Sequence, residues 1–86
     1  MTTVRLVVSG RVQHVGFRYF VIVAAERHGV RGWVRNRRDG SVEIGAQEAP
    51  GAFFEEIRRG PPRARIDAID RSETDEPRLA GFEVRF

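Results

Sequence analysis

The sequence contains no cysteine and no lysine. Without cysteine the chain has no disulfide to stabilise it and no thiolate to serve as a nucleophile or metal ligand, so packing alone must hold the fold and a reducing compartment is expected. Without lysine it cannot form a Schiff base with a carbonyl substrate, and it lacks the residue that reaches the phosphates in a P-loop nucleotide site. These two absences exclude several enzyme classes before any motif is considered.

Long hydrophobic runs are also missing. No stretch approaches the roughly 20 apolar residues that a membrane-spanning helix needs, and the N-terminus lacks the basic-then-apolar order of a secretory signal peptide. We therefore expect a soluble, cytoplasmic protein that does not bind membranes. A chain of 86 residues is too short to divide into two units that each bury a core, so residues 1–86 are predicted to form a single domain.

The positive charge of the chain is carried entirely by arginine and is unevenly distributed. Residues 1–43 contain eight arginines and three acidic residues, a net charge of +5, whereas residues 44–86 contain seven arginines and nine acidic residues, a net charge of −2. A concentration of positive charge attracts anionic ligands. The N-terminal half is therefore the place to look for an anion-binding site.

Hydrophobic periodicity predicts secondary-structure elements in the order β-α-β-β-α-β-β. Alternating apolar residues indicate strands, apolar spacings of three and four indicate helices, and Asp39-Gly40 supplies the positive φ angles of a tight hairpin. The predicted elements are a strand through Val4–Val8, a helix over 17–28, two strands over 30–37 and 41–47, a short helix between Pro50 and Gly60, a strand beginning at Ala64 and a final strand over 82–86.

This order matches an α+β fold, the ferredoxin-like split β-α-β sandwich, with two helices on one face of an antiparallel sheet and a short additional C-terminal strand. In the strand that begins at Ala64, Ile69 falls out of phase with the preceding apolar residues, which predicts a bulge or a change of face within residues 67–70. Residues 72–78 are polar and are predicted to form a mobile connection to the last strand.

The segment Gly10–Arg18, with the sequence GRVQHVGFR, joins the first strand to the first helix. At a helix N-terminus the first backbone N–H groups lack intrahelical partners and the helix dipole is positive, so a phosphate-sized anion can accept several hydrogen bonds there. The dipole disfavours a cation such as Arg18 in this position, a cost that is easier to explain if an anion lies between the arginine and the loop. The alternative is a solvated arginine at an ordinary helix start.

Further motifs follow in a fixed order: Gly32-Trp33-Val34-Arg35-Asn36, Asp39-Gly40-Ser41-Val42-Glu43, the Gly60-Pro61 step and the closing strand Phe82–Phe86. Together with Gly10–Arg18, these motifs resemble the acylphosphatase family, and the resemblance spans nearly the whole chain. Several motifs in the same order as in a known family are more specific evidence than any one of them alone.

The resemblance implies a ferredoxin-like fold and an activity, the hydrolysis of the carboxyl-phosphate bond of small-molecule acyl phosphates to a carboxylate and inorganic phosphate by direct attack of water. It also implies that Arg18 and Asn36 are catalytic, and that the substrate phosphate is bound by a loop made of Gln13, His14, Val15, Gly16, Phe17 and Arg18. The scattered carboxylates and histidines do not form a metal site. We expect no metal, no organic cofactor, no nucleic-acid partner and a monomer.

Asn36 is the only asparagine in the chain and lies near the end of a predicted strand, where asparagine is uncommon. From local sequence alone, its side chain could simply bond to the backbone of the adjacent hairpin. In acylphosphatases the matching asparagine orients the attacking water. A neutral amide is not a strong base, so its contribution would be orientation.

His14 departs from the family pattern, in which this loop position is usually glycine. A side chain that points to solvent is one interpretation, and a protonated imidazole that adds positive charge to the anion site below about pH 7 is the other. If the loop needs a positive φ at this position, histidine is less comfortable than glycine but better tolerated than a β-branched residue.

Two other functions have to be compared with acyl phosphate hydrolysis. A small basic ferredoxin-like domain could bind RNA, although the strands over 4–8 and 42–46 lack the aromatic residues that stack on bases. The chain could also be a non-catalytic acyl-phosphate-binding module, like the acylphosphatase-like domain within hydrogenase-maturation carbamoyltransferases. The presence of both Arg18 and Asn36 in a stand-alone domain favours catalysis.

Overall fold

A computed structural model describes residues 1–86 and has the predicted order of elements. Neither helix has the length and apolarity needed to cross a membrane. The elements are β1 (Thr2–Arg11), α1 (Phe17–His28), β2 (Arg31–Asn36), β3 (Val42–Gln47), α2 (Gly51–Arg59), β4 (Arg65–Asp75) and β5 (Phe82–Arg85).

The strands form one sheet in the order β4-β1-β3-β2-β5. The pairs β1/β3, β1/β4 and β2/β3 are antiparallel, as predicted. The short additional C-terminal strand, β5, whose place in the sheet the sequence did not predict, pairs with β2 in parallel. The chain reverses once after β4 and so returns in the direction of β1, which is also the direction of β2. The free edge beside β2 therefore accepts β5 in a parallel pair.

Gln47 holds the segment that carries the chain from β4 to β5. Its buried side chain accepts a hydrogen bond from the backbone N–H of Leu79 (2.9 Å) and donates to the carbonyl of Pro77 (2.9 Å) and to Thr3 Oγ1 (3.1 Å). These bonds satisfy a buried amide and attach the connection to the ends of β1 and β3.

The predicted bulge is confirmed. Ser9 pairs with Ala68, but Gly10 pairs with Ile66, so Asp67 is the extra residue in β4. Gly10 has a φ of 128°, and a Cβ atom there would lie 2.2 Å from the carbonyl oxygen of Arg65. Only glycine fits at this point, one residue before the end of β1.

The prediction that residues 72–78 are a connection is wrong for their first half. Strand β4 continues to Asp75, which pairs with Thr2. The polar composition misled the prediction because β4 is an edge strand whose side chains are mostly exposed, so its ladder can form without apolar alternation. The partner strand β1 supplies hydrogen-bonding groups along this whole length.

The hydrophobic core lies between one face of the sheet and the two helices, as predicted for this fold. Its largest fully buried apolar side chains are Phe17, Phe53, Ile44 and Ile57. Because Val34 and Ile44 point into the core, their neighbours Trp33 and Glu43 point to the other face, which carries no helix. The alternation along β2 also places Asn36 on the same side as Val34.

Glu43 is the buried charge on the helix-free face, where it is 3% exposed. It accepts a hydrogen bond from Arg35 Nε (2.5 Å) on β2 and another from Arg5 on β1. Burial raises the pKa of Glu43, but the hydrogen bonds from the two guanidinium groups outweigh it and bring the pKa below its ordinary value of 4.5. The carboxylate therefore links three adjacent strands while it is ionised.

We expect Glu43→Gln to lower the free energy of unfolding by about 1–2 kcal/mol at neutral pH, because a charge-assisted bond becomes a neutral one and two guanidinium groups lose their counter-charge. A carboxyl group whose pKa is depressed by folding stabilises the protein above its unfolded pKa, and this stabilisation is lost as the pH falls through the folded pKa. The difference between wild type and variant should therefore shrink on acidification. Urea unfolding at about pH 7 and about pH 3 measures it, and an equal difference at both would contradict the assignment.

Candidate functional site

The loop between β1 and α1 contains two left-handed residues, His14 with φ 64° and Gly16 with φ 79°. Helix α1 begins directly after Gly16, whose carbonyl accepts the first helical hydrogen bond, from the N–H of Phe20 (3.0 Å). The backbone N–H groups of residues 13–19 donate to no other backbone group in the loops, turns and helix caps of the protein. A run of N–H groups without partners, curled by left-handed residues and followed by a helix N-terminus, is an anion-binding arrangement.

Arg18 and Asn36 line the same pocket, although they come from different elements. The pocket has a volume of about 200 Å³ and is lined by Val12, His14, Gly16, Phe17, Arg18, Tyr19 and Asn36. Val12 and Phe17, each 1% exposed, form its apolar floor. The structure thus brings both predicted catalytic residues into one pocket beside the loop.

The guanidinium of Arg18 forms no ion pair with a carboxylate of the protein, whereas most ion pairs of the chain involve another arginine. The first turn of α1 contains no acidic residue. The guanidinium carbon of Arg18 lies 6.0 Å from the centre of the Phe86 ring. A half-buried arginine with no counter-charge, placed at the positive end of a helix, makes this pocket electropositive.

Asn36 is half-buried at the end of β2, where it pairs with Val42. Its carboxamide does not bond to the hairpin backbone, the role that local sequence allowed for it. Other side chains serve the hairpin: Asp39 accepts hydrogen bonds from the N–H (3.0 Å) and hydroxyl (2.6 Å) of Ser41, which hold the pKa of Asp39 below its ordinary value. The Asn36 carboxamide is therefore free to bond to a molecule in the pocket.

Gln13 has a structural role that the sequence did not reveal. Its side-chain Nε2 donates to the carbonyl of Arg37 (2.7 Å) and to the carbonyl of Ser41 (3.0 Å). The carboxamide thus ties the loop to the β2–β3 turn beside Asn36 and is not among the groups that line the pocket. Of the Gln13 groups, only the backbone N–H is left to bind an anion.

The other predicted loop residues divide between the core and the pocket. Val15 is 8% exposed and packs in the hydrophobic core, so it offers the site only its backbone. His14 is exposed and lines the pocket, as expected for a side chain that points to solvent, and its φ of 64° explains why this position suits glycine.

We expect Gln13→Glu to lower kcat by about 10-fold or more, because a carboxylate cannot donate to the two carbonyls and the loop would shift relative to Asn36. Because the new carboxylate also places a negative charge in the anion-binding loop, inhibition by inorganic phosphate should weaken as well. Steady-state kinetics with acetyl phosphate, with and without phosphate, measure both quantities. An unchanged kcat would show that this tether does not position the site.

A larger groove of about 420 Å³ lies between α2 and β4. It is lined by Leu6, Phe54, Arg58, Ile66, Asp67, Ala68, Ile69 and Arg71 and includes neither Arg18 nor Asn36. No three histidine or acidic side chains lie together as a group that could hold a metal ion. The candidate anion-binding site is therefore the smaller pocket, which contains both Arg18 and Asn36.

Comparison with known proteins identifies a family and several relatives. The acylphosphatase family model matches residues 4–84. An acylphosphatase from Thiobacillus denitrificans is 49% identical to the chain over 88 aligned residues, which cover 99% of this chain and 98% of the relative.

Solved structures give the same result. The crystal structure of acylphosphatase from Bacillus subtilis superimposes with a TM-score of 0.88 at 37% identity, and each chain is covered completely. The crystal structure of HypF from T. kodakarensis matches with the same TM-score at 36% identity, over 99% of this chain but only 12% of HypF.

Proposed function

Because this chain belongs to the acylphosphatase family and hydrolyses acyl phosphates to a carboxylate and inorganic phosphate, we propose that Arg18 and Asn36 are its catalytic residues. The observation that carries the proposal is the pocket itself. It combines a guanidinium without a counter-charge, a carboxamide without a partner in the protein and a run of unpaired backbone N–H groups.

The phosphate group of the substrate is held by the backbone N–H groups of residues 13–18 and by Arg18. Phosphoryl transfer depends mainly on positioning and on stabilising negative charge on the equatorial oxygens. The backbone of the loop holds its N–H groups in place before the substrate binds, so they stabilise this charge with little rearrangement, and the guanidinium of Arg18 adds a positive charge. The absence of acidic residues from the first turn of α1 avoids repulsion of the incoming anion.

Asn36 orients the attacking water. Its carboxamide oxygen accepts a hydrogen bond from the water, and the water oxygen forms a bond to phosphorus while the bond from phosphorus to the carboxylate oxygen breaks. The electron pair of the broken bond leaves with the carboxylate, and the proton of the water is released to solvent or to the phosphate. A carboxylate is a good leaving group, so the reaction needs little general-acid assistance.

The mechanism is tested by the site of bond cleavage. In water enriched in oxygen-18, attack on phosphorus places the label in inorganic phosphate, whereas attack on the carbonyl carbon places it in the carboxylate. We expect label only in phosphate, and hydrolysis of benzoyl phosphate at an undiminished rate in the presence of EDTA. Label in the carboxylate would contradict the mechanism, and loss of activity in EDTA would contradict its independence of metal.

We also propose that residues 1–86 act as one monomeric, cytoplasmic domain on a small acyl phosphate, without nucleic acid. The helix-free face offers no platform on which bases could stack, since Trp33 is only 5% exposed and is covered by Arg85, whose guanidinium carbon lies 4.9 Å from the ring centre. The arginines Arg5 and Arg35 of that face are paired with Glu43. Size-exclusion chromatography tests the monomeric state, and a gel shift with mixed RNA at low salt tests whether the protein binds nucleic acid.

A further inference from the structure

The catalytic pocket has more lining side chains than the reaction at phosphorus requires. Val12 and Phe17 are buried beneath the pocket as its floor, and Gly16 has no side chain. In the proposed mechanism Arg18 binds the phosphate and Asn36 orients the attacking water. Of the residues that line the pocket, this leaves His14 and Tyr19.

Both residues are exposed at the mouth of the pocket, and Tyr19 is 73% exposed, an unusual state for a large aromatic side chain. The Tyr19 hydroxyl forms none of the side-chain hydrogen bonds of the protein, and its ring takes part in none of the aromatic pairs. Packing in the free protein therefore does not explain why a tyrosine stands at this position, the third residue of α1.

The geometry of the reaction indicates where the acyl group must lie. In-line displacement places the leaving carboxylate on the side of phosphorus opposite the attacking water, and hence away from Asn36. In the proposed mechanism the loop N–H groups hold the phosphate at the base of the pocket, where the buried side chains of Val12 and Phe17 form the floor. The acyl group must then extend outward, past the side chains at the mouth of the pocket.

We propose that Tyr19 and His14 form a subsite for the acyl group that favours acyl phosphates with a planar or aromatic acyl group over small aliphatic ones. This inference rests on the proposed function of Arg18 and Asn36. A planar acyl group that packs against the Tyr19 ring removes apolar area of both from water, and offset or edge-to-face contacts add to that gain. The imidazole of His14, projected from a left-handed backbone, offers a second flat surface.

The test compares kcat/KM for benzoyl phosphate and acetyl phosphate in wild type, Tyr19→Ala and Tyr19→Phe. The two leaving carboxylates are of similar basicity, so a change in the ratio reports contacts with the acyl group. We expect Tyr19→Ala to lower kcat/KM for benzoyl phosphate by about 10-fold and for acetyl phosphate by no more than about 2-fold, while Tyr19→Phe keeps the wild-type ratio. His14→Gly should lower the ratio by a smaller factor.

Two controls separate this role from damage to the site. Val23 is on the same helix, is partly exposed and does not line the pocket, so Val23→Ala should leave the ratio unchanged. Inhibition by inorganic phosphate, which has no acyl group, should be the same in Tyr19→Ala as in wild type. Equal losses with both substrates, or no loss with either, would overturn the acyl subsite. Failure of the proposed function would appear differently, as undiminished hydrolysis of both substrates by Arg18→Ala and Asn36→Ala.

Discussion

Arg18→Ala is expected to reduce kcat/KM for acyl phosphates by about 10³-fold. Removal of one donor to a developing oxyanion costs about 10²- to 10³-fold, and Arg18 is the only arginine that lines the pocket. Because its guanidinium forms no ion pair in the protein, the loss should not be accompanied by unfolding. Steady-state kinetics with acetyl phosphate, together with urea unfolding, measure both effects.

Arg18→Lys is the matched variant for this prediction. It keeps the positive charge but lacks the planar fork of donors that fits phosphate oxygens, so we expect it to recover only part of the lost activity and of the affinity for inorganic phosphate. Equal activity of the alanine variant and the wild type would remove Arg18 from the mechanism. Full activity of the lysine variant would show that charge suffices and that two-point contact with phosphate is not needed.

Asn36→Ala is expected to reduce kcat by about 10²- to 10³-fold, with little change in inhibition by inorganic phosphate. The reason is that Asn36 contacts the water and not the phosphate in the proposed mechanism, so its removal disorders the nucleophile and leaves the anion site intact. The fold should be unaffected, because the carboxamide bonds to no other part of the protein. Phosphate release from benzoyl phosphate in EDTA, with phosphate as a competitive inhibitor, measures the two quantities separately.

The division of effects between these variants is itself informative. Arg18→Ala should weaken phosphate inhibition strongly, and Asn36→Ala should not. If Asn36→Ala weakened phosphate binding as much as it lowered kcat, Asn36 would be a phosphate ligand and the water would need another group to orient it. Near-normal turnover by Asn36→Ala would contradict the mechanism outright.

Local sequence was sufficient for much of this fold. The helix α1 and the hairpin between β2 and β3 were predicted because apolar periodicity and the Asp39-Gly40 turn are signals encoded over a few residues. The bulge at Asp67 was predicted in the same way, from a break in alternation at Ile69. Such signals depend on neighbours in the chain, so they can be recognised without knowing the tertiary structure.

The features that the sequence left open or predicted wrongly have a different origin. The parallel pairing of β5 and the continuation of β4 to Asp75 depend on which strand edge is free and on how far β1 extends as a partner. These are properties of the assembled sheet. An edge strand needs no apolar alternation when most of its side chains are exposed, as in β4. Its polar composition therefore suggested a connection where the structure has a paired strand.

For the site, the sequence by itself determined the loop that curls before a helix N-terminus, the arginine in its first turn and the isolated asparagine, since each follows from residue types within a short segment. Only the tertiary structure decided that Arg18 and Asn36 face one pocket, that the Asn36 carboxamide is free because Asp39 and Gln13 serve the hairpin, and that Tyr19 stands at the mouth. Those facts depend on hydrogen bonds and packing between β2, the β2–β3 turn and α1. Contacts between segments distant along the chain leave no local periodicity, so they become visible only when the sheet and helices are assembled.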